Sequence, residues 1–224
     1  MDEDLKKNIV KTGTSTVGIV CKDGIVMAGD RQATLGASIV GDKNTPKIYQ
    51  INDYLVVSIA GNASDAQMSL RYITAQLKLK ELKDKKRPSL KESASFIASM
   101  YFQLIRKPSM IPSVVGSLVG GFNKDGTTEL YSIIPDGSIR DVKDYDANIS
   151  SGMPYILGLL ERQYKKDLTV EEGVKLAIEC LKSSTQRDVF SGFGIDVITI
   201  TKEGIKHVVK QKIESVYTEQ KITN

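Results

Sequence analysis

The chain has 224 residues, 41% hydrophobic and 26% charged, with 31 basic against 27 acidic side chains and a formal net charge of +4. That is the size of one large or two small globular domains, and so mild a basic excess, with no dense Lys/Arg block, excludes a nucleic-acid footprint. No apolar run approaches the ~18 residues of a membrane span, the charged start Met1-Asp2-Glu3-Asp4 has no signal core, and a lone histidine with two distant cysteines fits no metal site.

Residues 1–13 read as a short polar leader. From Ser15 to Gly29 two apolar strands flank Lys22-Asp23-Gly24, a hairpin turn. The second strand ends in Gly29-Asp30-Arg31. A loop rich in Gly, Asn, Thr and Pro follows and closes on Pro46-Lys47-Ile48-Tyr49. Tyr54–Ala60 is the next strand and stops at Gly61.

Ser64-Asp65-Ala66-Gln67 has the spacing of a capping box, with Ala66, Leu70, Ile73 and Leu77 behind it at helical spacing. The basic stretch Lys78–Arg87 reads as the solvated end of that helix and its loop. Ser89-Leu90-Lys91-Glu92 repeats the signature ahead of Ala94, Ile97, Tyr101 and Leu104, and Pro108 and Pro112 end that helix. Strands follow at Val114–Phe122, Thr128–Ile134 and Ile139–Val142. Met153–Tyr164 has a third helical pattern, and Thr169-Val170-Glu171-Glu172 caps a fourth. Ile195–Thr201 and Ile205–Val209 form a last hairpin, which carries His207 on the surface. Cys21 and Cys180 sit in apolar segments and read as buried thiols. The tail beyond about Gln211 is polar and reads as loosely ordered.

Helices grouped in pairs between runs of strands indicate antiparallel sheets rather than alternating βαβ units. Two sheets face to face, with a helix pair on each outer side, would bury every apolar stripe. The expected fold is α+β, a four-layer α-β-β-α sandwich, as a single domain over 14–224.

Gly13-Thr14 is the stretch with a chemical reading. A threonine hydroxyl is a weak nucleophile without an adjacent base, and cutting the chain before Thr14 would supply one in its own α-amine. That amine has an ordinary pKa of about 7.7–8, near working pH. Such a threonine needs a nearby cation, a polar network to orient the amine, and an N–H for the oxyanion. Lys47 follows a proline just before a strand. Asp30 ends the strand that returns alongside Thr14 and could hold Lys47 by an ion pair. Gly61 leaves its N–H at a strand end. Ser151 precedes a helix, and Asp188 and Ser191 lie in a polar loop. Each has a plainer reading: Asp30-Arg31 as a surface ion pair, Lys47 as a solvated lysine, Ser151 as a helix cap, Asp188 and Ser191 as turn residues.

Five ordered segments carry a resemblance: Thr12–Gly18, Ala28–Thr34, Ser58–Gly61, Ser151–Glu161 and Gln186–Gly192. Together they resemble the archaeal-type proteasome β subunit, an N-terminal nucleophile hydrolase, over Thr12 to about Ile200. The resemblance implies the four-layer fold and a threonine endopeptidase, with Thr14 as nucleophile and Asp30 and Lys47 as the charged pair beside it. It implies that Ser151, Asp188 and Ser191 orient the amine and a water, and that the Gly61 N–H forms the oxyanion hole. Ala33, Ile59 and Ala63 would line an apolar pocket for the residue before the cut. Thr34 would hold the peptide as an added strand.

The same resemblance implies autocatalytic release of residues 1–13 and no cofactor or metal. Its implied partners are other β subunits in a ring, α-subunit rings, an ATP-dependent unfoldase ring and unfolded polypeptides, in the cytoplasm, with no nucleic acid and no membrane. Ser15 stands where the family usually shows a second threonine, and Met153 replaces a small polar residue. Three alternatives remain. One is a non-catalytic ring subunit. Another is the bacterial six-membered-ring ATP-dependent peptidase, which Gly29–Gly36 also resembles. The third is a small-molecule amidase, in which Cys or Ser is the more usual nucleophile.

Overall fold

The computed structural model describes residues 13–35 and 39–213. Strand parity explains the architecture. In β2 (Gly24–Asp30) every residue is buried, yet Ile25 and Met27 enter one core and Val26 and Ala28 another. A strand apolar on both faces is one covered on both faces. The same division recurs in β6 (Leu55–Ser58), β8 (Val115–Phe122), β9 (Thr128–Ile133) and β12 (Gly194–Thr201). There Val56, Leu118, Leu130, Ile198 and Ile200 join Ile25 and Met27, while their neighbours pack outward.

Three cores therefore separate four layers. One sheet has the order β11-β1-β2-β12-β13, with β1 at Thr16–Cys21, β11 at Tyr145–Asp146 and β13 at Gly204–Lys212. The other has the order β10-β9-β8-β6-β5, with β5 at Ile48–Asn52 and β10 at Ile139–Val142. All their pairings are antiparallel. Helices α1 (Ala63–Asp84) and α2 (Leu90–Arg106) cover the second sheet through Leu70, Ile73, Ile97 and Tyr101. Helices α3 (Met153–Gln163) and α4 (Val170–Thr185) cover the first through Ile156, Leu160, Ala177 and Leu181. This is the expected α-β-β-α sandwich.

The capping boxes at Ser89 and Thr169 form with both reciprocal bonds. The first helix differs. Its cap is Asn62, whose side chain accepts from Ser64 N–H at 3.2 Å, so Ser64 lies inside the helix. Asn is as good a cap as Ser, and starting two residues earlier gives the Asn62 carbonyl the first helical bond, from Ala66 N–H. The stretch read as a loop before Pro46 carries a hairpin, β3 (Ala33–Leu35) with β4 (Ile39–Asp42). Its residues are mostly exposed, so no burial pattern marks it in the sequence. His207 is exposed on β13, and Cys21 and Cys180 are buried free thiols. No helix among the described residues is long and apolar enough to cross a membrane. The leader 1–12 and the tail from 214 lie outside the described residues.

Candidate active site around Thr14

Thr14 sits just ahead of β1, 4% exposed, and is joined to Gly13 by an intact peptide bond. Its nitrogen is thus an amide, standing where an amine would be after a cut. That N–H donates to Ser151 Oγ at 2.9 Å. Ser151 lies on the turn before α3 and donates to Asp188 Oδ2 at 2.6 Å. Ser191 Oγ donates to the same oxygen at 2.5 Å. Ser151 and the distant loop that carries Asp188 and Ser191 therefore form one network on the Thr14 nitrogen. Ser151 acts here through its side chain, and α3 begins with no side-chain cap bond.

Asp30 closes β2 with no exposed surface. Its Oδ1 accepts from Ser15 N–H at 3.0 Å, and its Oδ2 accepts from Gln32 N–H at 2.9 Å and Gly192 N–H at 3.0 Å. Burial pushes its carboxyl up to about 6, against the pull of the Lys47 charge and the three N–H donors. Lys47 is buried at the start of β5. Desolvation lowers its ammonium from the ordinary range, opposed by the charges of Asp30 and Asp42.

The two charges feel each other, but the expected ion pair does not form. Among the described residues no carboxylate lies within 4.0 Å of the Lys47 ammonium. The Asp30 oxygens are instead taken by backbone N–H groups, which fix the carboxylate on its own strand. The surface Asp30-Arg31 pair is also absent. Arg31 is buried and pairs with Asp196 on β12 at 2.5 Å, and it donates to Asn44 Oδ1 at 2.6 Å.

Gly61 ends β7 (Ala60–Gly61), which pairs with β8. Its φ is +114°, and a Cβ there would lie 2.0 Å from Val114 O, so only glycine fits. Asn62 N–H donates to Val114 O at 2.9 Å. Bonded and non-bonded pairs alternate in an antiparallel ladder, so the Gly61 N–H turns away from β8. It turns to the side where Ile59 N–H meets Lys47 O at 2.9 Å. One cleft on that side is lined by Thr14, Lys47, Gly61, Ala33, Thr34, Ile59 and Ala63. The structure thus brings every expected pocket residue to one place. Thr45, Tyr49, Ala66 and Gln67 line it too, and sequence reasoning missed them. In the sequence Gln67 stands at capping-box spacing from Ser64, which gives it a local role and no sign of the cleft. A second cleft, which shares Thr14 and Gly61 with the first, is lined also by Pro112, Ile149, Ser150 and Ser151.

Gly13 has a steric reason. A Cβ there would lie 1.8 Å from Phe190 Cβ and 2.8 Å from Ser151 Oγ. Among the described residues no three His, Cys, Asp or Glu side chains gather to hold a metal ion.

This geometry can be set beside known proteins. The family model described as "Proteasome subunit" matches residues 10–200. The chain belongs to the proteasome subunit family. Proteasome subunit beta of Methanocaldococcus fervens is 36% identical over 94% of this chain and 91% of its own length. Proteasome subunit beta of Methanocaldococcus jannaschii is 36% identical over 95% and 92%, respectively. Proteasome subunit beta 2 of Pyrococcus abyssi is 40% identical over 91% and 94%. As a proteasome subunit the chain is part of protein-degradation machinery, and its matched span takes in Thr14, Asp30, Lys47, Gly61, Ser151, Asp188 and Ser191.

Proposed function

We propose that this chain is a catalytic proteasome β subunit, a threonine endopeptidase whose nucleophile is Thr14 after residues 1–13 are removed. One observation carries the reading. The Thr14 nitrogen is held by Ser151 Oγ at 2.9 Å while Thr14, Lys47 and Gly61 line a single cleft. That supports a reading in which a base, a cation and an N–H donor serve one hydroxyl.

In the precursor Thr14 Oγ attacks the Gly13 carbonyl, the Gly13–Thr14 C–N bond breaks as the hydroxyl proton passes to the Thr14 nitrogen, and water then hydrolyses the resulting ester, releasing the leader 1–13 as a carboxylic acid. In the mature chain the neutral amine takes the Thr14 hydroxyl proton as Oγ attacks a peptide carbonyl. The buried Lys47 charge disfavours protonation of that amine and favours the developing alkoxide. The Gly61 N–H holds the oxyanion. The leaving amine departs with the proton, and water cleaves the acyl-enzyme ester.

Ala33, Ile59, Ala63 and Ala66 form the apolar part of the cleft, and among the described residues Lys47 is the only charged side chain lining it. This favours apolar residues before the cut. An extended substrate would bond to the backbone at Thr34 and Gly61 as an added strand. The partners are other β subunits in a ring, α-subunit rings and an ATP-dependent unfoldase that delivers unfolded polypeptide, in the cytoplasm. The test is hydrolysis of a fluorogenic peptide with an apolar residue before the reporter, by the assembled particle. Wild type should cleave it and Thr14→Ala should not. Equal activity in both would overturn the reading, and no activity in either would leave a non-catalytic subunit.

A further inference from the structure

Four hydroxyls around Asp188, three of them buried and that of Ser151 half-buried, form a chain longer than the mechanism above uses. Ser15 Oγ donates to Ser191 Oγ at 2.7 Å and also contacts Ser184 Oγ on the last turns of α4. Ser15 and Ser184 have no exposed surface and Ser191 is 4% exposed. Gly152 makes room for the contact. A Cβ at that position would lie 2.0 Å from Ser15 Oγ and 2.3 Å from Ser184 Oγ.

The donor inventory fixes every hydrogen. An ionised carboxylate only accepts, and a hydroxyl has one hydrogen to give. Ser151 and Ser191 both spend theirs on Asp188 Oδ2, at 2.6 and 2.5 Å. For Ser151 this charge-assisted contact outweighs the longer one to Thr14 O at 3.1 Å. Ser191 Oγ can then only accept from Ser15. Ser15, its hydrogen spent, can only accept from Ser184. The chain runs one way, from Ser184 through Ser15 and Ser191 to Asp188.

Its consequence falls at Thr14. Ser151, with its hydrogen on Asp188, presents a lone pair to the Thr14 nitrogen. Ser15 also donates its backbone N–H to Asp30 Oδ1 at 3.0 Å. One residue therefore ties the Asp30 carboxylate to the Asp188 network.

We infer that Ser15 and Ser184 are positioning residues for the Thr14 amine, acting through Ser191, Asp188 and Ser151 to fix which hydrogens the amine meets. The inference rests on the threonine-peptidase reading. An amine N–H held by Ser151 leaves the nitrogen lone pair free for the Thr14 hydroxyl proton. Donors arriving at Asp188 drain its negative charge. With the chain cut, that charge is less drained and favours the protonated amine.

The experiment uses the assembled, processed particle and an apolar fluorogenic peptide, with kcat and KM measured across the pH range of activity. Ser15→Ala and Ser184→Ala should each lower kcat about tenfold and displace the acid limb to higher pH. KM should hold, because neither residue lines the clefts beside Thr14. Ser15→Thr keeps the hydroxyl and should keep both kcat and the acid limb. Ser117→Ala is the control: it removes an equally buried hydroxyl, bonded to Tyr101 Oη at 2.6 Å, and should leave the profile alone. Ser184→Ala carries the test where Ser15→Ala does not assemble. The inference is overturned if the Ser15 and Ser184 variants keep the wild-type acid limb and kcat, or lose only melting temperature, as Ser117→Ala would. Thr14→Ala run alongside separates the two claims, since activity surviving in it would defeat the threonine reading itself.

Discussion

Asp30 offers a test of how the site holds its charges. Its carboxyl has no exposed surface and titrates near 6, above its ordinary 3.8. The sign follows from proton binding. Between about pH 4 and 6 the folded chain keeps a proton that the unfolded chain has released, so raising the pH through this window costs folded-state stability. Across the whole window the loss is about 3 kcal/mol. Asp30→Asn removes the titration. It leaves at least one N–H donor facing an amide NH2, a penalty of about 1–3 kcal/mol that does not vary with pH. The variant should be the less stable protein at pH 4 and should gain about 3 kcal/mol relative to wild type by pH 7. Urea unfolding of both proteins in the same assembly state, at intervals from about pH 4 to 7, measures this as a difference, in which the other carboxylates cancel. Two parallel stability curves would refute the assignment of a raised carboxyl to Asp30. Peptide hydrolysis should be impaired in the variant above about pH 6, where wild-type Asp30 is ionised and the Lys47 charge in the variant lacks that counter-charge.

Further outcomes follow from single contacts. Gly13→Ala puts a methyl 1.8 Å from Phe190 Cβ and 2.8 Å from Ser151 Oγ, so Gly13 or these neighbours must shift. A displacement of ~1 Å can cost ~100-fold, and leader removal followed by intact mass should be slowed on that scale. Arg31→Ala strands the buried Asp196 carboxylate and should cost about 3–5 kcal/mol, read as a lowered unfolding midpoint in urea. Gln67→Glu adds an acidic group to a cleft whose one charged lining residue, among the described residues, is Lys47. The ratio of hydrolysis after basic residues to hydrolysis after apolar ones should rise, and an unchanged ratio would remove Gln67 from the substrate pocket.

The layers were legible in the sequence because burial on both faces makes strands such as β2 and β8 nearly all apolar, while each helix keeps one buried stripe. The pairing of helices between runs of strands supplied the topology. The cap at Asn62 was hidden because Ser64-Asp65-Ala66-Gln67 satisfies the same spacing rule two residues later. The hairpin β3–β4 was hidden because its side chains are exposed. Within the site, residues at strand ends were readable one by one, since a polar group stopping an apolar run has no packing reason to be there. What sequence could not give was connectivity. Asp30 beside Lys47 suggests an ion pair, yet the Asp30 oxygens go to three backbone N–H groups. Arg31 adjoins Asp30 and pairs with Asp196, 165 residues on. Ser15 and Ser184, 169 residues apart, carry no local signal of their contact.

The central claim is that Thr14 cuts its own leader and thereby gains its base. The most direct measurement is the intact mass of the chain assembled with a proteasome α subunit, beside Thr14→Ala prepared in the same way. The account predicts that wild type loses residues 1–13 and begins at Thr14, while the variant keeps them. Full-length masses for both, or loss of the leader from both, would contradict it.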